Sequence, residues 1–310
     1  MFICDNIGVH TKYVFYERQS MKEFSIITDS CCSLNADEAA ELGITVLPLT
    51  FTLDGETYLD TPDHSAIAPE EFYRKIAAGG KCFTAGVNVD AYMNAMNAAV
   101  KAGKSVLCIC FSGALSCTFN NARLAAEYIR EEDSEADIEV IDSLCACRGL
   151  GMLIYRTVKE QKVCGLSMRE TAEFVMRERN RQAHWFFVDD LNHLQRGGRI
   201  KRIEAVAGSI LGIKPVIHCD ADGKLTIAGK VRGLNNAIKA LADKIRDAGV
   251  QANQTIFISH ANCVTYVQKI VDMLNKNFGI TDIHTDFICP VIGAHTGCGT
   301  LGLFFVANRR

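Results

Sequence analysis

No apolar stretch in this 310-residue chain approaches the roughly 18 consecutive residues that a membrane-spanning helix needs. No transmembrane segment is expected, and engagement with a bilayer would be limited to transient surface contact. The first twenty residues lack the basic, apolar and small-residue zones of a signal peptide, which points to a cytoplasmic protein. Charge of one sign is also missing: 33 Lys and Arg against 36 Asp and Glu leave a net charge of −3, spread along the chain, so no nucleic acid partner is expected. The 14 cysteines include no Cys-x-x-Cys. Arrangements such as Cys31-Cys32, Cys108-x-Cys110 and Cys145-x-Cys147 fit neither zinc nor a disulfide framework, and suit small core residues in a reducing compartment. Cys31, Cys32 and Cys298 are the ones placed for redox sensing, beside helix starts or glycine turns. His64, His184, His193, His218, His260, His284 and His295 form no short-range pair, so no metal is expected. Internal repeats and low-complexity segments are likewise missing.

What is present is globular. Hydrophobic residues make up 48% and charged residues 22%, close to the averages for soluble domains, and the length suits two domains. Val106 to Phe111 is a continuous apolar run, as expected of a strand buried on both faces of a parallel sheet. It leads into Ser112-Gly113-Ala114-Leu115-Ser116-Cys117-Thr118 and then a helical pattern. Ligands of such sheets bind beyond the carboxyl ends of the strands, so Ser112, Ser116 and Thr118 are site candidates as well as helix caps. Strand ends carrying Asp-Ser recur at Asp29-Ser30 and Asp142-Ser143.

Before the first convincing strand, Phe24 to Thr28, the residues up to Met21-Lys22-Glu23 show no clear period and read as an appended segment. The pattern then gives a strand over 44–51, a turn at Asp54-Gly55, helices over 69–77 and 89–102, and a strand ending at Ser143. A helix from about 146 to 160 closes the first half at the charged Lys159-Glu160-Gln161-Lys162. Later come a helix over 167–180, a strand over 185–188, a hairpin about Asp222-Gly223, helices over 235–248 and 264–277, and strands near 255–259, 287–291 and 301–306. The division predicted is an N-terminal extension (1–23) and two α/β domains, 24–158 and 159–310, the first built on a parallel sheet.

His295-Thr296-Gly297-Cys298-Gly299 places an imidazole and a hydroxyl in a glycine-rich loop that follows an apolar strand, suited to contact with a ligand. Gln195-Arg196-Gly197-Gly198-Arg199-Ile200-Lys201-Arg202 is a basic turn broken by glycines, readable as an anion grip or as a solvated helix end. Gly149-Leu150-Gly151 matches half of a dinucleotide fingerprint but falls inside a helix. Ser116, His295 and Asp29 supply the residue types of a hydrolase triad, without a Gly-x-Ser-x-Gly elbow. A serine-dependent lipid or ester hydrolase is therefore the alternative reading.

Taken in order, Thr28-Asp29-Ser30, Leu115-Ser116-Cys117-Thr118, Gly197-Gly198-Arg199-Ile200, Ile213-Lys214-Pro215, Lys230-Val231-Arg232-Gly233 and His295-Thr296-Gly297 resemble the DegV family, from about Phe24 to Val306. The resemblance implies two α/β domains with a ligand tunnel between them. It implies a non-enzymatic carrier that holds a long-chain fatty acid and presents it to a separate ATP-dependent fatty acid kinase subunit, for acyl phosphate and phospholipid synthesis, with no cofactor of its own. It places the carboxylate-binding residues at Thr84, Ser116 and His295. Asp29, Ser30, Ser112, Thr118 and Thr296 fall beside the pocket, and Arg199 and Arg232 on the face offered to the kinase. Cys117 stands where the family usually has Gly, Cys298 where it usually has Pro, and Ala85-Gly86-Val87-Asn88 replaces a more polar stretch.

Overall fold

A computed structural model describes residues 22–200 and 212–308. The expected N-terminal extension lies outside them as far as residue 21, as do Lys201 and Arg202 of the basic turn. The first half is organised about β6 (Ser105–Cys110), whose six residues are all buried. It pairs in parallel with β1 (Phe24–Asp29) and β7 (Ile138–Asp142), and β2 (Thr45–Leu47) extends the sheet beyond β1, in the order β2-β1-β6-β7. Strands this apolar need cover on both faces. Helices α3 (Val89–Lys101) and α4 (Thr118–Glu132) lie on one face, while α5 (Arg148–Cys164) and α6 (Met168–Glu178) flank the other.

The expected strand over 44–51 divides at Pro48, which has no N–H to give a ladder. Its second part, β3 (Leu49–Leu53), leaves the parallel sheet and forms a small antiparallel one with β4 (Glu56–Asp60) and β5 (Cys82–Ala85). The Asp54-Gly55 reversal joins β3 to β4 as the sequence predicts. Helices α1 (Ala36–Leu42) and α2 (Pro69–Ala77) complete this half.

The second half is a mixed sheet of order β10-β9-β8-β13-β11-β12. In chain order its strands are β8 (Gln182–Phe187), β9 (Ile213–Cys219), β10 (Leu225–Arg232), β11 (Ile256–His260), β12 (Ile283–Phe287) and β13 (Leu301–Val306). Its ladders are antiparallel except β11 with β12. The short helix α7 (Asn192–Arg196) follows β8, and α8 (Leu234–Asp247) and α9 (Val264–Phe278) cover one face. The expected strand over 287–291 is corrected: β12 ends at Phe287, and Pro290 opens a helix, α10 (Pro290–Thr296). Proline at the first helical position loses no hydrogen bond there, since that N–H has no partner within a helix.

The two halves share apolar core, since Phe257, Ile288, Val291 and Phe304 pack into the same cluster as β1 and β6. Helix α5 lies between the two large sheets and runs unbroken past residue 158, and α6 packs on β6 and β7. The Gly149-Leu150-Gly151 motif explains this closeness. A Cβ on Gly149 would fall 2.0 Å from His184 Nε2, and one on Gly151 2.6 Å from the Cys32 carbonyl. These glycines serve helix packing.

Candidate functional site

Between the halves lies a cavity of about 330 Å³, within the ordinary range for small-molecule sites. Its walls are mostly apolar: Leu49, Phe111 and Leu115 from the first half, and Phe186, Leu225 and Phe304 from the second. Helix α10 forms one side with Ile292, His295 and Thr296.

Polar groups gather where β5, the loop after β6 and α10 meet. Thr84 Oγ1 lies 2.8 Å from His295 Nε2. Ser116 Oγ is 2.9 Å from Thr118 Oγ1 and accepts the Thr118 N–H at 3.2 Å. Thr84, Ser116, His295 and Thr296 all line the cavity. His295 stands in the last turn of α10 and not in a loop, which corrects the expectation for the glycine-rich segment. Burial, followed by the nearby Arg199 charge, lowers the His295 imidazole to about 4, so it is neutral at pH 7. Thr296 is 6% exposed, and its Oγ1 has no partner among the described residues. A buried hydroxyl without a partner costs free energy that a bound polar group can recover.

Glycines let these segments converge. A Cβ on Gly86 would fall 2.7 Å from Thr118 Oγ1 and 3.3 Å from Ser116 Oγ, and one on Gly197 would fall 2.1 Å from His295 Nδ1. Neither contact can be read from local sequence, because the partners are far apart along the chain.

Apart from Arg199, the remaining sequence candidates stand behind the cavity wall or away from it. Thr118 is buried beneath Ser116. Ser112 is fully buried and donates to the Gly223 carbonyl at 2.9 Å, tying the halves together. Asp29 accepts from the Phe111 N–H at 2.7 Å and the Cys31 N–H at 3.1 Å, and burial raises its carboxyl to about 7. Ser30 donates to Asp60 at 3.3 Å and accepts the Leu49 N–H at 3.1 Å. Arg199 lines the cavity, with Nε donating to the Leu115 carbonyl at 3.0 Å, whereas Arg232 is exposed at the end of β10.

The triad suggested by residue type is not assembled. Both Asp29 oxygens are taken by backbone N–H groups, His295 Nε2 pairs with Thr84, and Ser116 pairs with Thr118. The cysteines named for redox sensing are poorly placed for it: Cys31 and Cys32 are fully buried, and burial raises all three thiols, Cys298 included. Among the described residues no group of three metal-ligating side chains converges, and no helix is long and apolar enough to cross a membrane.

Sequence reasoning missed His184 and Phe186 on β8, and Gly302 and Phe304 opposite them on β13, which together floor the cavity. His184 accepts the Ala146 N–H at Nε2 and bonds the Gln182 carbonyl through Nδ1. It therefore offers the cavity mainly ring carbon. Each pair is spaced i, i+2 and so shares one face of its strand, but both strands are buried almost throughout, so no alternation marks that face and only the pairing shows which residues meet.

A largely apolar cavity with a few polar groups converging at one place is the form of a site for an amphipathic small molecule. The sequence profile of the DegV family matches residues 23–308, and the chain belongs to that family. A DegV domain-containing protein of Clostridium perfringens is 37% identical over 291 residues, covering 94% of this chain and 99% of its own. Among solved structures, a fatty-acid-binding DegV family protein from Thermus thermophilus superposes with a TM-score of 0.82 at 26% identity, covering 92% of this chain and 99% of the other. The fatty acid kinase B3 protein of Streptococcus pneumoniae, solved with linoleic acid, shares the fold at a TM-score of 0.80 and 21% identity, over 92% of this chain and 100% of its own.

Proposed function

We propose that this chain binds a long-chain fatty acid in the cavity between its halves and presents the carboxylate to a separate ATP-dependent kinase. The observation that carries this reading is the cavity itself, apolar along its walls and ended by Thr84, Ser116 and neutral His295. Fatty acid binding by the Thermus relative supports it.

Burial of an acyl tail gains about 0.8 kcal/mol per methylene, so a sixteen-carbon chain supplies roughly 10 kcal/mol before ordering costs. The tail supplies affinity, and the hydroxyls and imidazole orient the head. Thr84 and Ser116 donate to the carboxylate, and Arg199 at the cavity wall adds a charge that attracts it. A carboxylate held this way keeps an oxygen free to attack the γ-phosphorus of ATP. The P–O bond to ADP breaks as the acyl phosphate forms, and the partner supplies nucleotide and magnesium. The carrier's task is positioning. We further infer a cytoplasmic carrier with no catalysis of its own, no resident cofactor, and two α/β domains.

Native mass spectrometry and lipid extraction of the purified protein test the first step, with one fatty acid per chain expected and no hydrolysis of acyl esters. Delipidated protein should gain thermal stability on adding fatty acid. Ester hydrolysis that disappears in Ser116→Ala would replace the carrier reading with the hydrolase one.

A further inference from the structure

Helix α10 is gripped at both ends by one small sheet. At its C-terminal end His295 meets Thr84 of β5, at 2.8 Å. At the other end Asp60, the last residue of β4, accepts the Val291 N–H at 3.4 Å and the Ser30 hydroxyl at 3.3 Å. Strand β3 lies between the two anchors, with Leu49 opposite Asp60 and Phe51 opposite Thr84. The Leu49 N–H in turn donates to Ser30 Oγ at 3.1 Å, so strand, hydroxyl and carboxyl form one chain of bonds.

Asp60 is 2% exposed and does not line the cavity. A buried carboxyl that takes one donor from each of two other segments ties those segments to its own strand. Helix α10 has only 7 residues, and isolated helices shorter than about 12 residues are marginal in water. Its direction therefore depends on external contacts. Tyr73 supplies one, donating to the Ile288 carbonyl at 2.7 Å beneath Gly293, where a Cβ would lie 2.3 Å from the phenol oxygen.

We propose that Asp60 is a positioning residue for the ligand head site: by fixing the start of α10 to the sheet that carries Thr84, it sets the reach of His295 toward the carboxylate. The proposal rests on the fatty-acid reading above. It concerns no second ligand, since Asp60 acts through the helix.

The test uses the delipidated full chain, with displacement of a fluorescent fatty acid to read affinity and side-chain NMR of His295 in the ligand-free state. Asp60→Asn keeps size and leaves a neutral amide oxygen, a weaker acceptor, for the Ser30 hydroxyl and Val291 N–H that share Oδ2. It should weaken binding roughly five- to tenfold and shift the His295 ring signals, while the melting temperature holds, because a buried carboxyl has been removed. Thr84→Val is run beside it. If Thr84→Val weakens binding while Asp60→Asn changes neither affinity nor the His295 signals, the positioning role is overturned and the fatty-acid reading stands. If neither the wild type nor any variant binds fatty acid, the underlying reading falls. Should Asp60→Asn not fold, Ser30→Ala decides: it removes one donor to Asp60, and unchanged His295 signals there would equally refute the role.

Discussion

The hydroxyl of Thr84 and the imidazole of His295 stand 2.8 Å apart although 211 residues separate them in sequence. Their bond joins the small sheet of the first half to the last helix of the second, at the polar end of the cavity. Replacing Thr84 by Val keeps the shape and removes the partner. A half-buried imidazole nitrogen left without its bond should cost about 1–2 kcal/mol, read as a drop of a few degrees in the melting temperature of the ligand-free protein. Fatty acid affinity should fall as well. A Thr84→Val protein with unchanged melting and unchanged affinity would show that this bond does not organise the site.

Acid pH offers a second test. The His295 imidazole sits at about 4, against an ordinary 6.5, because of burial first and the Arg199 charge second. A group whose folded value is depressed contributes stability that is present above pH 6.5 and is lost as pH falls through about 4. Asp29 and Asp60 work in the opposite sense. Burial raises each carboxyl to about 7, so their contribution is full below pH 3.8 and disappears as pH rises through about 7. An NMR titration of ligand-free protein should keep His295 neutral at pH 6, with a midpoint near 4. A midpoint at 6 or above would mean that the ring is solvated. His295→Gln should also lessen the loss of stability between pH 6 and 4.

Much of this arrangement could be read from sequence, and the exceptions have physical causes. Strand β6 was legible because burial on both faces requires an unbroken apolar run, Val106 to Phe111. The helix start at Asn88 was legible because its side chain caps the Ala91 N–H. Helix α10 was not, since Ile288-Cys289-Pro290-Val291-Ile292 is as apolar as a strand, and only Pro290 marked the helical start. Strand β5 has four residues with alternating exposure, too short for periodicity to register. Thr84 entered through family resemblance, because no local pattern links it to His295. Arg199 shows the limit of that route: its place on the cavity wall depends on how the halves meet.

The convergence of glycines at the polar end predicts steric sensitivity. Gly197→Ala would set a Cβ 2.1 Å from His295 Nδ1, so ring or backbone must move. Overpacking of this kind costs about 1–3 kcal/mol, and fatty acid binding should weaken by roughly tenfold. Gly229→Ala on β10 is the control, since nothing lies within 4 Å of its Cβ position. Equal loss of binding in both variants would indicate a general effect of removing glycine rather than pressure on His295.

The two arginines assigned to kinase docking should separate. Arg232 is exposed at the sheet edge, so Arg232→Glu should retain fatty acid affinity and reduce kinase-dependent acyl phosphate formation. Arg199 touches both cavity and loop. Arg199→Glu sets a like charge beside the carboxylate and should lower fatty acid affinity before any kinase is added. Wild-type affinity in Arg199→Glu would assign that residue to docking alone.

Stability of the joint between the halves can be tested independently at Arg148. This residue is 1% exposed and donates to Glu38 at 2.6 Å and to Asp286 at 2.7 Å, while Asn35 donates to the same Asp286 oxygen at 3.1 Å. One guanidinium thus holds α1, α5 and β12 together. Burial pushes the Glu38 carboxyl upward, but nearby His284, 3.8 Å away, and the charge of and bond from Arg148 outweigh burial and hold it at about 2. Arg148→Met preserves apolar bulk and leaves two carboxylates facing each other without their cation. Removing one side of a buried ion pair costs about 3–5 kcal/mol, which for halves of this size lowers melting by on the order of 10 °C. The acid dependence should change too. In the wild type the Glu38 contribution is present above pH 4.5 and is lost as pH falls toward 2, and in Arg148→Met that loss should shrink. Calorimetry across pH 3–7 measures both effects, and a melting temperature within a degree or two of wild type at pH 7 would mean that the three segments are held by packing without the ion pairs.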